Sequence, residues 1–194
     1  MLRIRLALGL LLSILCAGAG WAGPPLSQDE AMKLLSQPNR WIDTDGALRP
    51  DGTYVAKEIQ IAATSAITPT EDPAIYGAVE GLDRTKGMMK VLGYRVLYDG
   101  QTKLQDENKK VILSSRIQDG SNVKVQGKLL PNGAFQATKI RLQKMDKGKT
   151  RGKTKLYGPA TVVDARAGTL KVLNTTVMLR PDAMITEDVA PGGN

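Results

Sequence analysis

Three groups of residues in this 194-residue chain have types and spacing that could do chemistry. Asp43 and Asp45 in "DTDG" have the D-x-D-G spacing of a calcium loop, in which oxygens surround a hard cation. Glu71 and Asp72 are adjacent carboxylates, the material of an acid-base pair. Lys144, Lys147, Lys149, Arg151, Lys153 and Lys155 stand in "QKMDKGKTRGKTKL", where the single acid is Asp146. Such a run attracts anions. Trp41 and Tyr94 join the candidates because an aromatic face stacks on bases and sugars.

Two of these groups lose force on inspection. A calcium loop needs six or more oxygens, and the residues around "DTDG" do not supply them. Glu71 and Asp72 lie in "AATSAITPTEDPAI", a stretch of prolines and small polar residues that reads as a linker, so they read as solubilising charges. The chain has no histidine, and its one cysteine is Cys16. That removes a Ser-His-Asp triad, a Cys-His dyad, a c-type haem attachment and an ordinary zinc or copper site. The expectation is a protein that is not an enzyme and carries no metal or cofactor. Its candidate binding residues are the six cations of the connector with Trp41 and Tyr94. The connector has a second reading, as a solvated spacer between two folded units.

The first 22 residues belong to neither unit. Arg3 and Arg5 precede an apolar run from Leu6 to Leu15, and small residues follow in "AGAGWAG". That order is a secretory signal peptide, 1–22, with cleavage after Ala22 or, alternatively, after Ala19. Retention as a membrane anchor is the other outcome, since Leu6 to Ala22 approaches the lower limit of a spanning helix. Leucine, not a small residue, precedes Cys16, which argues against lipidation. The mature chain then has no thiol and forms no disulfide. Its charge falls from +8 by the two arginines lost. A basic, exported, periplasmic or secreted protein meets anionic envelope components or protein partners, and peripheral membrane contact is open to it. Nucleic acid is disfavoured by that location and by the scarcity of aromatics.

The remaining chain must position these residues. "SQDEAMKLLSQP" predicts one amphipathic helix over 27–37: Ser27 and Glu30 make a capping box, Ala31, Leu34 and Leu35 share a face, and Pro38 ends it. A helix this short has to dock on something. All that follows reads as strands between turn dipeptides such as Asp51-Gly52, Asp99-Gly100, Asp119-Gly120 and Asn132-Gly133. "LRPDGTYVAKEIQI" at Leu48 returns as "LLPNGAFQATKIRL" 81 residues later. At the same offset Tyr76, Gly77, Asp83, Gly87, Lys90, Val91, Leu92 and Val96 have identical counterparts. One ungapped offset over two blocks is an internal repeat. Tyr54, Ala56, Ile59 and Ile61 change phase partway, as do Phe135, Ala137, Ile140 and Leu142. That is the mark of a β-bulge in a bending strand.

One repeat unit is contiguous. Gly77-Ala78-Val79, Gly120 to Gly127 with its "G-x-x-V-x-V-x-G" spacing, and Ala137 to Ile140 resemble small secreted bacterial domains of unknown function. The resemblance implies five-stranded OB-like barrels and brings no catalytic residues. The expectation is an all-β protein with two small OB-like barrels, one split between the chain ends, plus a short N-terminal helix. Residues 41–61 would be the last strands of the split barrel, 62–75 a linker and 76–142 the contiguous barrel. Residues 143–156 would be the basic linker, 157–185 the first strands of the split barrel and 186–194 a tail. Open half-barrels leave unpaired edges. Pairing within the chain makes a monomer; pairing between chains makes a strand-exchanged homo-oligomer. The function expected is an exported binding or assembly module recognising an anionic partner, or alternatively a structural subunit.

Overall fold

The computed structural model describes residues 23–62, 72–144 and 154–188. Residues 1–22, expected to be a signal peptide, lie outside them, and of the tail expected over 186–194 the structure describes 186–188, where Thr186 and Glu187 belong to a strand. Among the described residues, eleven strands follow one α-helix, α1 (Gln28–Leu35). They are β1 (Trp41–Leu48), β2 (Tyr54–Ile61), β3 (Ala74–Asp83), β4 (Met88–Val91), β5 (Tyr94–Leu97), β6 (Lys103–Gln105), β7 (Asn122–Leu129), β8 (Phe135–Leu142), β9 (Lys155–Asp164), β10 (Thr169–Val172) and β11 (Thr175–Glu187). The two linkers are therefore shorter than expected. Ala74 and Lys155 already lie in strands, because each pairs across the junction described below.

The middle of the chain closes a five-stranded barrel. β4 pairs with β3 and β5, β8 lies parallel to β5 and then to β6, and β7 pairs with β8 and returns to β3. The strands from the two ends of the chain trace the same cycle: β10 with β9 and β11, β11 parallel to β2, and β1 with β2 and β9. Register repeats as well as order. Val96 faces Phe135 as Val177 faces Tyr54, and Lys103 faces Lys139 as Met184 faces Glu58. Each of these residues sits 81 positions from its counterpart, so the repeat seen in the sequence is a repeat of pairings.

The predicted bulges are present. Asp45 faces Glu58 while Gly46 faces Ala56, which leaves Lys57 as the extra residue. Gln126 faces Lys139 while Gly127 faces Ala137, which leaves Thr138. Opposite each bulge the backbones nearly touch. A Cβ on Gly46 would lie 2.2 Å from the Val55 carbonyl oxygen, and one on Gly127 would lie 2.0 Å from that of Gln136. Glycine is required at both places for want of space. The hairpins between β4 and β5 and between β10 and β11 are tight. Leu92 and Gly93, and Leu173 and Asn174, all have positive φ, as a two-residue type I′ turn demands. The leucines accept an unfavourable backbone angle because their side chains are buried, and Leu173 lies over Gly158, where a Cβ would come within 2.9 Å of it.

The helix is where the structure adds most. Its capping box forms as predicted, with Ser27 Oγ accepting from the Glu30 N–H and the Glu30 carboxylate accepting from the Ser27 N–H. The hydrogen bonds hold Glu30 below the usual carboxylate range. It buries Ala31, Met32 and Leu35, and Leu34 only partly; the helical segment is two residues shorter at its C-terminal end than expected. α1 packs on β9 and β11, in the ring formed by the chain ends. Leu26 N–H donates to Ile185 O at 2.8 Å, as Ile112 N–H does to Leu104 O in the middle barrel. Ala160 N–H donates to Arg40 O, as Val79 N–H does to Ser121 O. Segment 23–40 thus spans the gap that 109–121, with its one-turn 3-10 helix Ser114–Arg116, spans in the other copy. The ends of the described chain meet here, for Gly23 N–H donates to Glu187 O at 2.8 Å. Arg40, 3% exposed, reaches across the same seam to Glu187 at 3.3 Å.

The two cycles join through β3 and β9, antiparallel, with Ala74 facing Tyr157, Ile75 facing Leu156 and Tyr76 facing Lys155. Adding or subtracting the repeat offset converts this set into itself. The junction is therefore an internal two-fold axis through Ile75 and Leu156, both fully buried. A test of the bulge argument is Gly127→Ala, which is expected to lower stability by about 2 kcal/mol or more through the forced backbone shift. Gly100→Ala, whose Cβ meets nothing within 4 Å, is expected to stay within about 0.5 kcal/mol of the parent. Urea unfolding of both variants measures the difference.

Candidate functional site

Internal two-fold symmetry offers a way to find what the fold alone does not require. Positions that match across the copies are mostly turns, glycines and buried residues. Positions that occupy equivalent places with different chemistry are free of that constraint. The largest contrast lies beside the junction, in a cleft of about 410 Å³ lined by Tyr76, Glu107, Arg141, Gln143, Lys144 and Lys155.

Each wall of the cleft comes from a different element. Tyr76 stands on β3 where it pairs with both β7 and β9, so its ring is held half-buried at the seam. The Lys124 ammonium lies 5.3 Å from the centre of that ring, in cation–π range. Arg141 is at the end of β8, and Lys144 follows as the strand leaves the barrel. Lys155 opens β9 and places its ammonium 3.3 Å from both carboxylate oxygens of Asp43. Glu107, in the loop after β6, is the acid among the lining residues.

In the other copy Tyr157 keeps the place of Tyr76, and almost everything around it changes. Lys124 becomes Asp43, Arg141 becomes Gln60, Lys144 becomes Ala63 and Lys155 becomes Ala74. Trp41 packs on Tyr157 with ring centroids 5.2 Å apart and planes tilted by 53°. Gln60 there donates to Asp188. Tyr76 thus lines a cleft with Arg141, Lys144 and Lys155, the last ion-paired with Asp43 across the seam, whereas Tyr157 is covered by Trp41.

The sequence candidates distribute unevenly over this geometry. Lys144 and Lys155 line the cleft. Lys147, Lys149, Arg151 and Lys153 lie outside the described residues. Trp41 is half-buried against Tyr157, away from Tyr94, so the two form no common stacking platform. Tyr94 is 8% exposed, edge-on to Phe135, and its hydroxyl donates to the Leu173 carbonyl and bonds with the Thr175 hydroxyl. Thr175 is its own repeat counterpart, so Tyr94 is a strap between the copies. Burial pushes its phenol up to about 12. Burial also raises Tyr54, whose hydroxyl donates to the carbonyls of Thr44 and, at 2.6 Å, Thr154. Asp43 and Asp45 stand on β1, the first paired with Lys155 and the second 3.8 Å from Lys57. Tyr76, Arg141 and Lys124 were missed, because only folding brings them together; the charge difference between copies was nevertheless readable at the repeat offset.

Residues 76–141 match the family model of a domain of unknown function, DUF5666. The match covers about a third of the chain and corresponds to the middle barrel from the third residue of β3 almost to the end of β8. No curated protein matches the chain, and no solved structure does.

The Tyr94 strap has a measurable signature. Its ionisation is displaced upward on folding, so the unfolded chain loses that proton first. The stabilisation is complete below pH 10, and falls as pH rises from 10 towards 12. Tyr94→Phe is expected to lose about 1 to 2 kcal/mol at neutral pH, since the carbonyl and hydroxyl it served stay buried. It is also expected to flatten the alkaline decline, as followed by thermal melts between pH 8 and 12.

Proposed function

We propose that this chain is an exported, non-enzymatic binding module of the cell envelope, built of two OB-like barrels, that holds an anionic group of its partner in the Tyr76 cleft. One observation carries the reading. At places made equivalent by the two-fold axis, Lys124, Arg141 and Lys155 stand in one copy where Asp43, Gln60 and Ala74 stand in the other, and Lys144 aligns in the sequence with Ala63. The strand pairing repeats in both copies, so it does not demand these cations around one tyrosine.

The cleft has the means to hold an anion. Arginine presents a planar fork of donors to a carboxylate or phosphate, and lysine adds a mobile point charge. A volume near 410 Å³ falls within the range of small-ligand sites, so a single acidic sugar or phosphate group with its neighbours fits. Tyr76 offers the apolar wall against which such a group can pack. The order of charged, apolar and small residues in 1–22 supports export. The want of histidine, with the hydroxyls of Tyr54 and Tyr94 bonded to backbone carbonyls, supports binding over turnover. The cycle β3-β4-β5-β8-β7, with β8 parallel to β5, supports the OB-like description.

Polygalacturonate, a carboxylated polysaccharide, is a suitable probe for the chain from Gly23 onward. Titration followed by Trp41 fluorescence is expected to show binding that weakens as salt rises. Arg141→Glu with Lys144→Glu is expected to reduce affinity about tenfold or more. Arg166→Glu with Lys171→Glu, on the other copy, changes net charge equally and is expected to have little effect. Equal losses in the two double variants would mean that the protein responds to net charge and not through the cleft.

A further inference from the structure

A second surface of the middle barrel, lined by none of the cleft residues, departs from its counterpart in a different way. Val111 and Leu113 are 74% and 77% exposed, the two most exposed large aliphatic residues described. They flank Ile112, which is half-buried and whose N–H donates to Leu104 O at 3.1 Å. Val111 bridges to Gln105, and the Leu113 carbonyl accepts from Arg116 N–H at the start of the 3-10 turn. The two side chains are therefore held outward on a fixed backbone.

Around them stand cations. Arg84, Lys86 and Lys103 share with Val111 and Leu113 one open groove of about 620 Å³. Lys109 and Lys110, both exposed, come just before the apolar pair. The acid in the groove, Asp99, is committed to its own turn, where its carboxylate accepts from Gln101 N–H and the Thr102 hydroxyl. In the other copy, the matching hydrogen bond of Leu26 to Ile185 puts Pro25 and Ser27 at the places of Val111 and Leu113. Lys103 becomes Met184, Arg84 becomes Ala165 and Lys86 becomes Ala167. The path from Pro25 to Ser27 is built there without aliphatics at the places of Val111 and Leu113, and with Met184, Ala165 and Ala167 for Lys103, Arg84 and Lys86, so the shared backbone does not require these residues.

From this pairing we infer that the Val111–Leu113 tip and its cationic rim form a contact surface for an anionic lipid bilayer. The aliphatics protrude and do not line a floor, which suits insertion among acyl chains. A cationic rim at the base of such a tip meets headgroup phosphates. Exposed apolar residues with a polar rim mark a contact surface, and a rim of cations selects an anionic one. Two aliphatic side chains give weak, reversible attachment, and the lysines make it dependent on lipid charge. The surface uses none of the cleft residues.

Every described strand lies after Gly23, so the chain from that residue carries the fold needed for the test. Flotation with phosphatidylcholine vesicles containing about 30% phosphatidylglycerol is expected to carry the protein upward, and vesicles of phosphatidylcholine alone are expected to carry much less. Val111→Ser with Leu113→Ser is expected to cut the bound fraction about tenfold. Val163→Ser with Met184→Ser, which removes aliphatics 63% and 50% exposed on the other copy, is expected to leave binding as it was. Circular dichroism checks that both variants fold. Failure of the parent chain to float, or equal losses in the two variants, would overturn the inference.

Discussion

A strand edge shut away from water must find hydrogen-bond partners, and in this molecule that demand falls on two strands from opposite ends of the chain. β2 ends at Ile61 and β11 begins at Thr175, yet they lie side by side in parallel from Val177 and Tyr54 to Glu187 and Ile61. Without that pairing β1 and β2 would be a bare hairpin, and β9 to β11 an open sheet with one apolar face uncovered. Neither piece would be stable by itself. The rest follows from satisfying this edge: α1 covers the end of the ring, Arg40 reaches Glu187 across the seam, and Gly23 meets Glu187. The ring of the chain ends is in effect a circular permutation of the middle barrel. Its strand order is kept, and the chain is opened at the connection that the other copy makes through 109–121.

Having the same pairings twice separates two kinds of residue. Gly46 and Gly127 are shared because a bulge brings a carbonyl oxygen into the space of a Cβ. Ile75 and Leu156 are shared as apolar residues because they meet on the two-fold axis. Asp43 and Lys124 occupy one place in the pairing scheme with opposite charge, and the fold accepts either. Among the places where the copies differ are the cleft around Tyr76 and the tip at Val111 and Leu113. The axis itself gives the copies a reason to stay together. Ile75, Leu156 and the Tyr94 strap bury the seam, so the cleft wall contributed by Lys155 is held in place against β3.

Much of the fold was legible because local chemistry and global pairing agree. The phase change after Ala56 and Ala137 marked each bulge to the residue. The capping box at Ser27 and Glu30 placed the helix start. The role of α1 was not legible, since residues 23–40 and 109–121 fill the same gap with unrelated sequences and different lengths. Their equivalence exists in two hydrogen bonds and not in residue types. Tyr94 reads as a stacking face in the sequence, where nothing marks its repeat counterpart as the partner of its hydroxyl. In the structure it is the asymmetric half of a contact with that very counterpart, Thr175. The basic run was legible as a run, but only Lys144 and Lys155 could be joined to Arg141 and Tyr76, which come from other strands.

The account rests on the chain ends forming one ring within a single molecule. A permuted chain tests this most directly, with Asp188 joined to Gly23 by a short glycine-serine linker and new ends opened within 145–153. The permutation makes the split copy contiguous and leaves every described pairing intact. Thermal unfolding of this variant, checked by light scattering over a wide concentration range, is predicted to show a cooperative monomer that melts within a few degrees of the parent. A permuted chain that aggregates, or melts without cooperativity, would contradict closure of the second ring within the chain.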